Sequence, residues 1–319
     1  MTSFTIEPYQ NDFHSLVLQL QAALPEEAIT EAHFTRKVLL DPNFDPAGML
    51  IARSDSGEII GSLLAIVRKR PLEDGKPDQD RGWITLFAVA EEARRQGVGT
   101  ALFVAAENWL RSQNRTSVWI APYAPHYWIP GVDEAAYPEA LRFLHQRGYE
   151  TILRPLSMEV ALTSNWRPPQ WALERTSTLN QQEIRVIAFR QEDAFPLTHF
   201  LRREFPGDWQ RYLRETMLDI ILKRRAEQEL LLAIDFRHDE IVGFAQSEGE
   251  RFGPFGVAQA SRGQGIGAVL LSQALAGMCQ RGHARAWFLW TDDTTAERIY
   301  KPFGFHETRR YSLLKKQIG

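Results

Sequence analysis

The sequence runs to 319 residues with 44% hydrophobic and 11% aromatic content, enough apolar material for two domains that each bury a core. Its charged fraction of 24% and net charge of −3 give neither the basic excess of a nucleic-acid binder nor an acidic disordered tail, so the expected partners are small molecules or protein, with no nucleic acid. One cysteine, Cys279, excludes an internal disulfide, eight histidines form no helical metal pair, and no stretch approaches eighteen uninterrupted apolar residues, so no metal, no membrane and a cytoplasmic location are expected.

In chain order, a short strand from Phe4 enters a polar turn at Asn11-Asp12. Met49 to Arg53 and Glu58 to Arg70 then read as a strand pair around Ser54–Gly57. Leu86-Phe87-Ala88-Val89 closes a strand, Arg94-Arg95-Gln96-Gly97-Val98-Gly99 makes a glycine-rich turn, and Val98, Ala101, Leu102, Ala105 and Trp109 put one apolar stripe on the helix that follows. Pro122 to Asp133, with Tyr123, Tyr127 and Trp128, is a loop unusually dense in rings, and a short helix ends at Gly148-Tyr149. Residues 163–182, with Trp166, Pro168, Pro169 and Trp171, read as a packed linker that serves as a spacer.

The same landmarks then recur in the same order. Arg185 to Asp193 repeats the opening strand, and Leu230 to Asp235 with Glu240 to Gln246 repeats the strand pair. Pro254-Phe255-Gly256-Val257 leads into Arg262-Gly263-Gln264-Gly265-Ile266-Gly267, and Ile299 to Phe305 repeats the helix that ends in Gly-aromatic. In each copy the arginine follows the valine by five positions, 94 − 89 and 262 − 257. A repeat of this length implies two homologous domains. We expect an α/β (α+β layered) fold of two tandem domains, residues 1–162 and 183–319, each a mixed, mostly antiparallel twisted sheet flanked by helices.

A strand that feeds a glycine turn opening a helix is a phosphate cradle. The first N–H groups of the helix have no intrahelical partner, and they point with the positive end of the dipole at whatever lies over the turn. Leu102 and Leu270 stand where a dinucleotide fingerprint wants its third glycine, and neither copy has the Gly-Lys-Ser/Thr of a nucleotide P-loop. Both of those readings fail.

Arg94-x-x-Gly97-x-Gly99 and Arg262-x-x-Gly265-x-Gly267 resemble the acyl-CoA signature of the GCN5-related N-acetyltransferase (GNAT) family. Ala296-x-x-x-Tyr300 followed by Gly304-Phe305 is similar to that family's closing helix. The resemblance implies acetyl-CoA as co-substrate, with the pyrophosphate on Arg94, Arg95, Gln96, Gly97, Val98 and Gly99 in one copy and on Arg262, Gly263, Gln264, Gly265, Ile266 and Gly267 in the other. Val89 and Val257 would end the strands that offer backbone groups to pantetheine, and Asp293 stands where the family often has an asparagine near the cofactor. The residue's bland role is a helix cap.

Acyl transfer to an amine needs an uncharged amine, a place for the charged tetrahedral intermediate, and a proton for the departing thiolate. A phenol keeps its proton to a pH of about 10, above the roughly 8.5 of a thiol, and can share it as sulfur departs. The resemblance gives this task to Tyr300. The first copy has Leu144 there, so it is expected to be degenerate, and the chemistry is expected in the second. Family members often place a carboxylate four residues before the marker valine, where this chain has Thr85 and Gly253. The base is therefore open among Glu248, Glu250 and Asp292.

Phe205-Pro206-Gly207-Asp208-Trp209 lies in the segment that walls the acceptor in relatives. Trp209 could stack on a sugar and Asp208 accept from its hydroxyl or ammonium groups, with Asp292 as a further substrate neighbour. Looser likeness to bacterial tandem members that acetylate glucosamine or glucosaminides implies a small-molecule amine acceptor, an amino sugar among them; a monomer or homodimer is expected. Two other readings stand beside it: a non-catalytic CoA-binding or assembly module, and an acetyltransferase of a protein or peptide amine.

Overall fold

A computed structural model describes residues 3–72, 78–126, 128–163 and 166–319. Tyr127, in the ring-dense loop of the first copy, lies outside the described residues. In chain order the elements are β1 (Phe4–Pro8), α1 (Phe13–Ala23), α2 (Glu31–Phe34), β2 (Met49–Ser54), β3 (Ile59–Ile66), β4 (Arg81–Val89), α3 (Val98–Ser112), β5 (Ser117–Ile120), β6 (Val132–Asp133), α4 (Pro138–Gln146) and β7 (Glu150–Leu153). There follow β8 (Leu156–Ala161), α5 (Gln170–Gln181), β9 (Ile184–Ala188), α6 (Ala194–Glu204), α7 (Asp208–Ile221), β10 (Leu230–Asp235), β11 (Glu240–Glu248), β12 (Arg251–Val257), α8 (Ile266–Gln280), β13 (Arg285–Thr291), α9 (Asp293–Thr295) and β14 (His306–Gln317). The strand expected to continue to Arg70 stops at Ile66.

The chain packs as two compact units. Apart from a short stretch starting at Leu72, the first unit holds the residues up to Pro155 together with Arg310–Gly319, and the second holds Leu156–Arg309. The first unit's sheet runs β1-β2-β3-β4-β5 and takes its next strand from β14, on which β6 and β7 also pair. The second unit's sheet runs β9-β10-β11-β12-β13 and takes its next strand from β8. The packing units are thus interleaved, whereas the expected domains are consecutive in the chain. Each sheet is antiparallel except where β4 meets β5 and β12 meets β13.

Both faces of each sheet are covered. In the first unit Leu50, Leu63 and Ile84 meet Val98, Leu102, Phe103 and Ala106 of α3 on one face. On the other, Met49, Ile51, Leu64 and Leu86 meet Leu16 and Leu20 of α1 and Phe34. Double coverage explains why β3 reads Ile-Ile-Gly-Ser-Leu-Leu-Ala-Ile without polar alternation, and why seven of its eight residues are buried. In the second unit Ala233, Ala245 and Phe252 pack with α8, and Leu230, Leu232 and Phe244 pack with Leu197, Phe200, Leu213 and Met217 of α6 and α7.

The segment read as a packed linker does pack, and it carries structure of its own. Its second half is the helix α5, whose Ala172 and Leu179 are buried in the core of the second unit. Among the described residues no helix is long and apolar enough to cross a membrane.

Candidate active site

Each sheet carries a defect beside its candidate site. On the β3–β4 ladder Leu64 faces Leu86 and Ala65 faces Ile84, which leaves Thr85 as an extra residue on β4. On the β11–β12 ladder Ala245 faces Phe255 and Ser247 faces Phe252, so Gly253 and Pro254 share the place opposite Gln246. These are β-bulges, which bend a strand and re-aim its edge. They fall on Thr85 and Gly253, the positions where a carboxylate base would have stood. The parallel partner is lost at the same place: β4 pairs with β5 only over Arg81–Ile84, and β12 registers with β13 only at Arg251 and Trp287. Past those points the far halves of β4 and β12 have no parallel partner on that edge, and a ligand's amides can pair with such a backbone edge.

Each open edge ends at a glycine turn. Gly97 (φ +90°) and Gly265 (φ +85°) are the residues before α3 and α8, in a left-handed conformation that disfavours a β-carbon, and no side chain caps either helix. The first amides of both helices are left for an anion. Arg94 Nε donates to the Val89 carbonyl (3.2 Å) and Arg262 Nε to the Val257 carbonyl (3.3 Å). In both copies the arginine therefore ties the turn back to the strand end. Val98 and Ile266 are buried and anchor the turn from below. Arg95, at φ +62°, reaches Glu139 at 3.6 Å, and Gln96 donates to the Glu92 carbonyl. A β-carbon on Gly99 would meet Phe143 at 3.6 Å, and one on Gly267 would meet Phe255 and Val257 at 3.6 Å. These are ordinary contacts, so the fold does not itself demand glycine at either position.

In the first unit a cavity of about 590 Å³ opens along this edge. It is lined by Thr85–Val89, by Arg94, Gly97 and Gly99 of the turn, by Phe143 of α4, and by Leu24, Ile29 and Trp128. Leu144, at the place of Tyr300, is 0% exposed.

In the second unit Tyr300 lies where β12 and β13 part. Its ring centroid is 4.2 Å from that of Phe288 on β13 and 6.0 Å from that of Phe255 on β12. Burial, and secondly the Asp292 carboxylate, push its phenol well above the ordinary value. Asp292 accepts from the Thr295 amide (2.9 Å) and hydroxyl (2.7 Å), bonds that hold its own pKa below the usual carboxylate range. The cap of α9 is therefore Asp292, and Asp293, expected in that role, is the first residue of the helix. A carboxylate one position earlier has the extended backbone that a cap needs.

Glu248 ends β11 opposite Arg251, and its carboxylate accepts from the Tyr212 hydroxyl. Burial is the main cause that pushes the Tyr212 phenol up to about 12. Phe205 packs against the backbone of β12, so closely that a β-carbon on Gly256 would be 2.5 Å from its ring. The turn between α6 and α7 thus sits over the open half of β12. Trp209 lies tilted against Phe205 (5.3 Å) and edge-on to Phe244 (6.0 Å) yet remains 39% exposed, and Asp208 is paired with Arg211 at 2.9 Å.

Three residues bear on the site that motif reading missed. Arg175 of α5 lies across the cradle, its Cδ 2.7 Å from where a β-carbon on Gly265 would be. Gln210 and Gln246, 2% and 0% exposed, have neither amide atom hydrogen-bonded. Gln246 shares the face of β11 that carries Phe244, toward the core of α6 and α7. Buried amides left unpaired are uncommon, because each forfeits its hydration. No composition signal marks them. Among the described residues no cluster of three or more His, Cys, Asp or Glu is placed to hold a metal ion.

Residues 15–127 match the model of the Acetyltransferase (GNAT) family, and residues 198–316 match that of the Acetyltransferase (GNAT) domain. The mycothiol acetyltransferase of Propionibacterium freudenreichii subsp. shermanii is 34% identical over 98 residues, 30% of this chain and 30% of that protein. A GCN5-related N-acetyltransferase from Sphaerobacter thermophilus superposes with a TM-score of 0.72 at 20% identity, over 99% of this chain and 96% of its own. A tandem GNAT protein from the clavulanic acid biosynthesis pathway gives 0.65 at 16% identity, over 99% of both chains. A fungal multi-domain GH3 β-N-acetylglucosaminidase, described as containing a glucosamine N-acetyltransferase region, gives 0.78 at 18% identity, over 99% of this chain and 38% of that one. The chain thus spans about a third of the length of the curated relative and of the fungal protein.

Proposed function

The chain belongs to the GNAT acetyltransferase family, whose members use acetyl-CoA, and we propose that it transfers an acetyl group to a primary amine of a small polar molecule, with the chemistry in the second unit. The observation that carries this reading is Tyr300, a buried phenol stacked between the two strands at the point where they separate.

The residues fit the co-substrate. The uncapped start of α8 behind Gly265 suits a pyrophosphate, with Arg262 to Gly267 as its seat, and the edge of β12 up to Val257 suits the amides of a pantetheine arm. Acetyl-CoA supplies an activated thioester. Tyr300, its pKa raised, keeps its proton at working pH and offers it to the departing sulfur. Asp292 fixes the start of the helical turn that carries Tyr300, and Asp293 stays close to the cofactor side. Glu248, through the Tyr212 hydroxyl, is the route by which the amine loses its proton. In the first unit the same cradle holds CoA without turnover, because Leu144 can donate nothing.

An amino sugar is the acceptor we favour. Trp209 presents an exposed ring edge beside Asp208, and the unpaired amides of Gln210 and Gln246 lie under the same helix and suit a ligand rich in hydroxyls. The test is a panel of glucosamine, short glucosaminides, polyamines, aminoglycosides and amino acids, scored by acceptor-dependent release of free CoA thiol. Release with amino sugars supports the reading. Tight CoA binding with no release on any amine favours a binding module instead.

A further inference from the structure

The cavity of the first unit is not confined to one side of its sheet. It passes the edge of β4 beyond Ile84, so its walls belong to both cores of the unit. The cradle face has Arg94, Gly97, Gly99, Leu102, Phe103 and Phe143, and the opposite face has Ala23, Leu24, Ile29, Leu86, Ala88 and Trp128. A thioester arm held by the turn and the open edge of β4 would lead its acyl group through the gap into the second chamber. That chamber is chiefly aliphatic and aromatic. Its polar side chains are Glu27, Ser62 and Thr85, and the Ser62 hydroxyl already donates to Gln19 (2.8 Å). An acetyl group would leave most of these walls without a partner, and burying apolar surface is what such a chamber rewards.

We infer that the first unit is a binding site for an acyl-CoA whose acyl chain is longer than acetyl, held without being transferred. The inference rests on the reading that the Arg94–Gly99 turn holds CoA. The ligand is kept because the position of Tyr300 in the second unit is Leu144 here, buried and unable to protonate a thiolate. Each methylene buried adds up to about fourfold in affinity, before the losses of ordering the chain.

The test isolates the first site in the full chain. Gly267→Glu sets a carboxylate against the second cradle, where the added β-carbon meets only ordinary contacts, and calorimetric titration with CoA, acetyl-CoA and octanoyl-CoA then reads the first unit. Octanoyl-CoA should bind about tenfold or more tighter than acetyl-CoA. In the same background Ala88→Phe, which fills the chamber, should remove that advantage and leave CoA unchanged. Trp128→Ala, at a loop position, should reduce it by loss of one wall should the first substitution impair folding. Equal affinity for the two thioesters overturns the inference while the cradle reading survives. Failure of CoA itself to bind, restored by no change in the chamber, overturns both. Competition of n-octylamine with octanoyl-CoA but not with CoA, together with acyl transfer to that amine, overturns it in favour of an apolar acceptor pocket.

Discussion

Arg175 lies across Gly265, its Cδ 2.7 Å and its Cγ 2.8 Å from the place of a β-carbon on that glycine. A helix within the segment read as a packed linker thereby sets a guanidinium beside the proposed phosphate cradle of the second unit. Arg175→Ala should weaken CoA binding to the second site by about tenfold, the scale of one charge-assisted contact at an exposed position, and leave the first site unchanged. Titration calorimetry that resolves the two sites checks it. Gly265→Ala should cost more, since the left-handed backbone alone costs roughly 1–2 kcal/mol with a β-carbon and the side chain of Arg175 must also leave.

The exchanged strands make a second prediction. A chain beginning at residue 183 lacks β8 and α5, and with them the buried Met158, Val160, Ala172 and Leu179 of the second unit's core. It should be expanded and aggregation-prone, losing a burial contribution of several kcal/mol. Circular dichroism and proton NMR dispersion would show it. A well-dispersed spectrum from residues 183–319 alone would contradict the interleaved packing.

Much of this was legible before the fold. The turns Arg94–Gly99 and Arg262–Gly267 stand out because glycine at a helix start follows from backbone geometry, which is local. Val89 and Val257 do end their strands, as read. The destination of β8 and β14 was not legible, since period-two patterning identifies a strand and says nothing about its neighbour. The helix α5 was hidden by the composition of Gln170–Gln181, rich in Thr, Ser, Asn and Gln, with only a weak apolar stripe. The cap was misplaced by one residue because Asp292 and Asp293 are both competent, and only backbone conformation separates them.

In the proposed acceptor site Gln246 would set stability against recognition. Gln246→Leu removes a buried amide with no hydrogen bond and should stabilise the ligand-free protein by about 1 kcal/mol, raising Tm. It should also raise the acceptor KM with little effect on CoA affinity. A lower Tm with unchanged KM would mark the residue as structural only.

pH acts on the second unit from both sides. Burial raises the phenols of Tyr300 and Tyr212, so their contribution is complete below the unfolded-state value of about 10 and is lost as pH climbs through their folded values. The Asp292 carboxylate is lowered by its cap bonds, so its contribution is present above the ordinary carboxylate range and is lost as pH falls through the folded value. Tm should therefore be flat near neutrality and fall at both ends, and Asp292→Ala should shift it down by the equivalent of about 1 kcal/mol at neutral pH. Differential scanning fluorimetry across pH reads all three effects.

The proposed protonation of the leaving thiolate by Tyr300 is tested by single-turnover acyl transfer in the Tyr300→Phe protein, measured alongside its acetyl-CoA affinity. The single-turnover rate should fall by about a hundredfold or more with the dissociation constant within about twofold of the unaltered protein, because the ring contacts with Phe288 and Phe255 survive loss of the hydroxyl. Unchanged turnover at unchanged affinity would contradict it.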